Sequence, residues 1–287
     1  MCICFFQVNP PGSPYPFIFC GNRDEFLSRE SIVFHKWDDD SGIYGGKDAV
    51  RGGTWLGVKP AKSPTDNKYK FAVVHNFRHN EVVDPSKRSR GDLPVNFLKG
   101  QWTAKEYAEK VAHEGYHYMG FTLILADETG VYFTSNRGHH RMLEPGIYAL
   151  SNSLLDTPWP KVPHGKENFR QVLKDYMPKM EHHHDEEDEL LHQLCHVVLQ
   201  DNTLFPHPLP RILDAHTEVL LSSVFIEPFR WKDFGFYGTR MRTTLVVRKD
   251  GSIRGHEHSL DTASPVKDWR GSWSKVKFEV SFERSSL

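Results

Sequence analysis

Apolar residues along this chain gather first into short runs of the kind strands need. Residues 2–8 and 15–20 are rich in Phe, Ile, Val and Cys, and Asn9-Pro10-Pro11-Gly12-Ser13-Pro14 between them is turn chemistry. A β-hairpin with a long loop is expected, and it sets the polar cluster Asn22-Arg23-Asp24-Glu25, just after the second run, beside the N-terminus. Phe71–Val74 has the pattern of a buried strand, with His75-Asn76-Phe77-Arg78-His79 at its exit. Phe121–Ala126 and Val131–Ser135, joined by Asp127-Glu128-Thr129-Gly130, carry a clear hairpin signal. Gly146–Leu150, Val219–Ile226, Thr243–Arg248 and Ile253–His258 also read as strands. From Lys277 to Glu283 apolar and charged residues alternate, with Val276, Phe278, Val280 and Phe282 on one side, which predicts a half-buried edge strand.

Helical spacing takes over in between. Thr103 is placed to cap a helix with Glu106 and Glu109 in its first turns, Tyr107, Ala108 and Val111 on one face, and Gly115 at its end. Residues 168–176 form a short helical segment bounded by Pro178, and 188–199 bring Leu190, Leu191, Leu194, Val197 and Val198 onto a common face. The acids from Asp185 to Glu189 suit that helix's N-terminus through its dipole. Strands, one helix, strands, helices, strands, with no repeat and no low-complexity linker, predict one α+β domain over residues 1–287.

Composition narrows the function classes. An apolar content of 38% and a charged content of 25% are ordinary for a globular protein, and a formal charge of −1 provides no field for nucleic acid or an anionic membrane. No run approaches the ~18 apolar residues of a membrane span. Cys2, Cys4, Cys20 and Cys195 do not form a secreted disulfide framework, so a reducing, cytoplasmic setting is expected. His182-His183-His184 resembles a metal tract, but adjacent histidines in a loop are usually incidental. No Cys or carboxylate stands at a recognised zinc spacing, so no metal site is expected.

The candidate chemistry is at the start of the chain. Removal of Met1 makes Cys2 the first residue, with a thiol and a free α-amine on one carbon. An α-amine has a pKa of about 7.7–8, so one residue offers both a nucleophile and a general base. Gly52-Gly53 before Thr54-Trp55-Leu56 suggests a tight turn entering a strand, or backbone passing close to a neighbour.

Met1-Cys2, Asn22-Arg23-Asp24-Glu25, Gly52-Gly53-Thr54-Trp55-Leu56-Gly57, Ser151-Asn152-Ser153-Leu154-Leu155-Asp156-Thr157-Pro158-Trp159 and Tyr237-Gly238-Thr239-Arg240 occur in this order. Together they resemble the transport and Golgi organisation protein 2 family, also called NRDE after its tetrapeptide. That family is similar to N-terminal nucleophile hydrolases, which implies a four-layer αββα sandwich. By that resemblance Cys2 is nucleophile and α-amine base, and Arg23 and Asp24 position the amine and steady the thiolate. Asn76 and Asn152 offer amide N–H groups to an oxyanion, and Arg240 completes the charge network. Asn22, Glu25, Gly53, Thr54 and Trp55 form the ligand-binding surround. The hydrolases space their Arg and Asp three residues apart. Here Arg23 and Asp24 are adjacent and point to opposite faces of a strand, which leaves Glu25 or Asn22 as alternatives for one of those places.

The resemblance implies three kinds of role, linked to secretion and Golgi organisation, to acyl-lipid or coenzyme A homeostasis, and to moving haem out of storage compartments or mitochondria. The first reading is a carrier that needs no cofactor and holds haem or an acyl-CoA-type lipid as its cargo near Cys2. It would work in the cytoplasm, in association with mitochondria or Golgi. The second is an N-terminal cysteine amidohydrolase or acyltransferase acting through Cys2. The third is a protein-interaction factor with a degenerate site. The carrier is placed first, on the family's associations.

Overall fold

A computed structural model describes residues 2–63, 68–79, 82–179, 184–262, 270 and 272–281. The chain opens with β1 (Ile3–Val8) and β2 (Phe17–Phe26), followed by β3 (Ser31–Lys36), β4 (Tyr44–Asp48), β5 (Leu56–Lys59) and β6 (Lys70–Asn76). Two helices, α1 (Asp92–Lys99) and α2 (Ala104–Glu114), precede β7 (Phe121–Asp127), β8 (Gly130–Ser135), β9 (His139–Met142) and β10 (Gly146–Leu150). After them come α3 (Lys161–Tyr176), α4 (His184–Gln193) with a π-helical turn at Leu194–Val198, and α5 (Ala215–Leu220). The last strands are β11 (Phe229–Arg230), β12 (Phe236–Val247), β13 (Ile253–Leu260) and β14 (Trp273–Val280).

These strands make two sheets, antiparallel at every paired step. The first runs β10-β1-β2-β12-β13-β14 with β11 beside β12, and the second runs β3 to β9 in chain order. Strand alternation divides each sheet's side chains between two faces. Cys4, Phe6, Phe17, Phe19, Leu245 and Val247 of the first sheet share a buried cluster with Phe71, Val73, Ile124 and Phe133 of the second. The other face of the first sheet, with Ile3, Phe5, Ile18 and Val246, packs on Phe169, Val172, Leu173, Leu190 and Leu194. The other face of the second sheet, with Ala72, Val74, Leu123 and Leu125, packs on Leu93, Phe97, Tyr107 and Val111. Gly165 lets α3 lie against β1, because a Cβ there would fall 2.2 Å from the Phe5 ring.

The α+β expectation holds, and so do the hairpins at residues 2–20 and 121–135. Thr103 caps α2 through a full capping box with Glu106. Other expectations need correction. The strand β2 does not stop before the polar cluster but carries Asn22–Glu25 within it, because β12 continues to pair with that stretch. Val219–Ile226 is not a strand. Asp214 accepts a hydrogen bond from the Thr217 N–H and starts α5, so the run begins inside a helix and continues as turns. The helix expected at 168–176 begins earlier, at Lys161, and the one expected at 188–199 ends in the π turn. The strands β3, β4 and β9 and the helix α1 lack a sequence pattern long enough to announce them. The edge strand β14 shows the predicted alternation, and Phe282, like His182 and His183, lies outside the described residues.

Candidate functional site

The strand β2 has β1 on one side and β12 on the other, pairing Asn22 with Ile3 and with Arg242. Alternation turns Arg23 and Glu25 toward the space between the sheets, and Asn22 and Asp24 toward the helices. The outward pair makes hydrogen bonds that hold the fold. Asn22 Nδ2 donates to the carbonyls of Leu199 and Val224, both at 2.9 Å. Asp24 Oδ1 accepts from Thr239 Oγ1 at 2.6 Å, and its carbonyl accepts from the Tyr237 hydroxyl at 3.2 Å. Arg23, on the inner side, lies over the Trp55 ring with its guanidinium carbon 4.2 Å from the centroid, and it reaches Glu25 at 3.9 Å.

Cys2 immediately precedes β1 and lines the space between the sheets. Its Sγ lies 3.8 Å from the Asp24 carbonyl, and its own carbonyl accepts from Ser151 Oγ at 3.0 Å. Burial pushes its thiol pKa up, so the group rests protonated. The thiol faces a cavity of about 10 Å³, space for roughly one water, walled by Phe19, Arg23, Trp55, Val73 and His75 among others. Burial also lowers His75 to about 4, leaving a neutral ring near the thiol, with Nδ1 3.4 Å from the Ser151 carbonyl.

Of the residues singled out in the sequence, Cys2, Asn22, Arg23 and Trp55 line this cavity. The others stand behind it. Asn152 is buried and Asn76 exposed, and the two are joined, since Asn152 Nδ2 donates to the Asn76 carbonyl at 2.8 Å. One of the two Asn152 Nδ2 hydrogens is thus engaged, whereas its Oδ1 is buried without a hydrogen bond. Arg240 falls where the β2–β12 register shifts between Thr239 and Met241. It donates to the carbonyls of Phe26 and Arg29, and burial, reinforced by the charge of Arg23, lowers it to about 10. Glu25 joins it through Arg29, which also binds Asp48 at 2.8 Å. Gly53 meets a neighbour as the glycine pair suggested: its Cβ would lie 2.6 Å from the Gly91 backbone, and the Thr54 N–H donates to the Gly91 carbonyl at 3.2 Å.

Sequence reasoning did not identify two residues that the fold brings to this place, Lys161 and Glu218. Lys161 is 1% exposed and donates to the Leu221 carbonyl at 3.0 Å. Burial lowers its amine to about 8, against the opposing pull of Asp24 and Cys2. Arg78 and Glu218 form a buried ion pair at 2.6 Å close to it. A lysine following Pro160 at a helix start gives no sign of full burial. His75 and Arg78 belong to the stretch at the exit of Phe71–Val74 that the sequence had marked.

The family model for Transport and Golgi organisation 2 matches residues 1–262. The chain is similar to a Bos taurus Transport and Golgi organization protein 2 homolog, with 31% identity over 283 residues that cover 93% of this chain and 96% of that protein. A Homo sapiens homolog of the same name is 32% identical over 281 residues, covering 91% and 93% respectively. Drosophila melanogaster Transport and Golgi organization protein 2 is 24% identical over 307 residues, covering 99% of both chains.

Proposed function

The chain belongs to the Transport and Golgi organisation 2 family, and from that premise we propose that it is a homeostasis and trafficking factor that binds an amphiphilic anion at Cys2. The cargo is an acyl-CoA-type lipid or haem. The observation that carries this reading is the make-up of the Cys2 cavity. Phe19, Trp55, Leu56, Val73 and Val74 give it apolar walls, and Arg23 provides one cation. Apolar walls with a few placed polar groups suit a ligand that is mostly hydrophobic and carries an acidic head. The cavity holds about 10 Å³ as it stands, so Arg23 and Trp55 must part for a ligand to enter. On this reading residues 1–287 form one domain, a four-layer αββα sandwich of the N-terminal nucleophile hydrolase type. The protein works in the cytoplasm in association with mitochondria or Golgi, and no helix among the described residues is long and apolar enough to cross a membrane.

One observation favours a second reading, an N-terminal cysteine amidohydrolase or acyltransferase. Lys161, brought to about 8, senses the charge of both Cys2 and Asp24. With Met1 removed, the Cys2 thiolate would attack an acyl carbon, and the C–N or C–S bond would break. The departing group would take the thiol's proton by way of the α-amine or Lys161, and water would then release the acid from the thioester.

Titration of the full chain with an acyl-CoA and with haem, alongside intact mass and released thiol, separates the two readings. The carrier binds one of them without turnover, Arg23→Met weakens that binding, and Cys2 stays unmodified. An acyl adduct on Cys2, lost in Cys2→Ala along with turnover, supports the enzyme instead. Binding of neither ligand by the folded chain overturns the carrier reading.

A further inference from the structure

The face of the first sheet that looks away from the Cys2 cavity carries a second constellation. On β13, His258 pairs across the ladder with Arg242 of β12, and both point toward the π-helical turn at Leu194–Val198. That turn is closed by the Leu199 N–H donating to the Leu194 carbonyl at 3.1 Å, the wider spacing that π turns use and that recurs at functional sites. It sets Cys195 inward, fully buried, and His196 outward at the surface. The Cys195 thiol and one ring nitrogen each of His196 and His258 lie within 4.8 Å of one another.

We propose that Cys195, His196 and His258 form a binding site for a borderline-soft divalent metal ion of the zinc class, with the fourth coordination position open to the adjoining cavity. That cavity measures about 510 Å³ and is lined by His196, His258, Gln200, Asn202, Arg242 and Trp273 among others.

Two further observations support the assignment. His258 is 7% exposed, and its Nε2 is buried without a hydrogen bond, an uncommon state for a ring nitrogen that lines a cavity. His196 Nδ1 lies 2.9 Å from Gln200 Oε1, which fixes the ring and leaves its other nitrogen for the cluster. Such an outer partner is the usual companion of a metal-bound imidazole. Thiolate sulfur and imidazole nitrogen are both zinc ligands, and three protein ligands with a fourth position left open is the arrangement of an open zinc site.

The charge pattern narrows the choice of ion. Arg242 lies over Trp273 at 4.4 Å and bonds Gln200 at 2.9 Å, and with Lys275 it opposes an incoming cation. Binding releases one proton as the Cys195 thiol becomes a metal-bound thiolate, and that negative charge offsets part of the repulsion. Hard ions such as magnesium or calcium gain little from a thiolate and two imidazoles, so they are disfavoured. The sequence-based expectation of no metal site followed spacing along the chain, whereas these ligands converge only in space.

The test is cobalt(II) and zinc(II) binding to the full chain after chelator treatment. Cobalt should bind with one equivalent, a thiolate-to-metal band in the near ultraviolet and intense four-coordinate visible bands, and zinc should displace it. Cys195→Ser should remove the near-ultraviolet band, and His258→Gln should weaken zinc at least tenfold in competition with a chelator. His196→Gln changes an exposed side chain and so keeps the fold, and it should do the same. Gln200→Ala should cost about 10–100-fold. Replacing His182, His183 and His184 by Ala should change none of this. The proposal is overturned if the folded chain binds no cobalt, if bound cobalt shows no sulfur band, or if binding follows the histidine tract while His196→Gln leaves it intact. Cys2→Ala lies outside the cluster and should not alter the spectrum, so this result is independent of the cargo reading.

Discussion

The guanidinium of Arg23, on β2 of the first sheet, rests 4.2 Å above the indole of Trp55, which belongs to the approach to the second sheet. The contact spans the gap between the sheets at the wall of the Cys2 cavity, so the two residues fasten one sheet to the other. A cation over a largely desolvated indole stabilises by about 1–2 kcal/mol. Arg23→Met should lower stability by about that amount in urea unfolding and weaken acyl-CoA or haem binding as well. Unchanged affinity for whichever ligand binds would remove Arg23 from the site.

Gly53 approaches Gly91 too closely for any side chain, since a Cβ would lie 2.6 Å from backbone that cannot rotate away. Gly53→Ala should cost about 1–3 kcal/mol through overpacking. Its midpoint in chemical denaturation should shift more than that of Gly52→Ala, where φ is +74° but nothing stands within 4 Å.

Arg78 and Glu218 form a buried pair at 2.6 Å, and Glu218 also accepts from the N–H groups of Ile212 and Leu213 at 2.8 Å. Removing one partner strands a buried charge, so Arg78→Met alone should cost about 3–5 kcal/mol. The double variant Arg78→Met/Glu218→Gln should recover part of that loss, read as a partial return of the melting temperature.

Two buried bases set opposite ends of the pH profile. Lys161 falls from its ordinary 10.5 to about 8 in the fold, so between those values the unfolded chain holds a proton that the native chain has lost. Stability should therefore rise as pH goes from 8 to 10.5, and Lys161→Met should flatten that rise. His75 falls from 6.5 to about 4, so stability should drop as pH falls through that window and level off below it. His75→Gln should reduce the slope there by about one proton, measured by denaturant melts across the pH series.

Much of the architecture was legible because local rules govern it. The capping box at Thr103 and Glu106 and the turn chemistry between Phe121–Asp127 and Gly130–Ser135 are settled within a few residues. The strand β14 showed its half-burial through alternation alone, with Val280 buried and Lys275, Lys277 and Glu279 exposed. Val219–Ile226 misled because a short apolar run suits either element, and the deciding hydrogen bond, from the Thr217 N–H to Asp214, lies just upstream.

The sequence by itself determined the alternation that places Arg23 and Asp24 on opposite faces, the glycine pair before Trp55 and the α+β order of elements. These follow from backbone stereochemistry and residue type, which act over short distances. Only the tertiary structure decided that Asn22 and Asp24 serve as outward fastenings, that the Asn152 amide is engaged by Asn76, and that Lys161 is buried near Cys2. It alone also brought Cys195 and His196 to His258. Those outcomes depend on which strands pair and which helix covers them, and burial, charge and ligand geometry exist only once the sheets and helices have closed on one another.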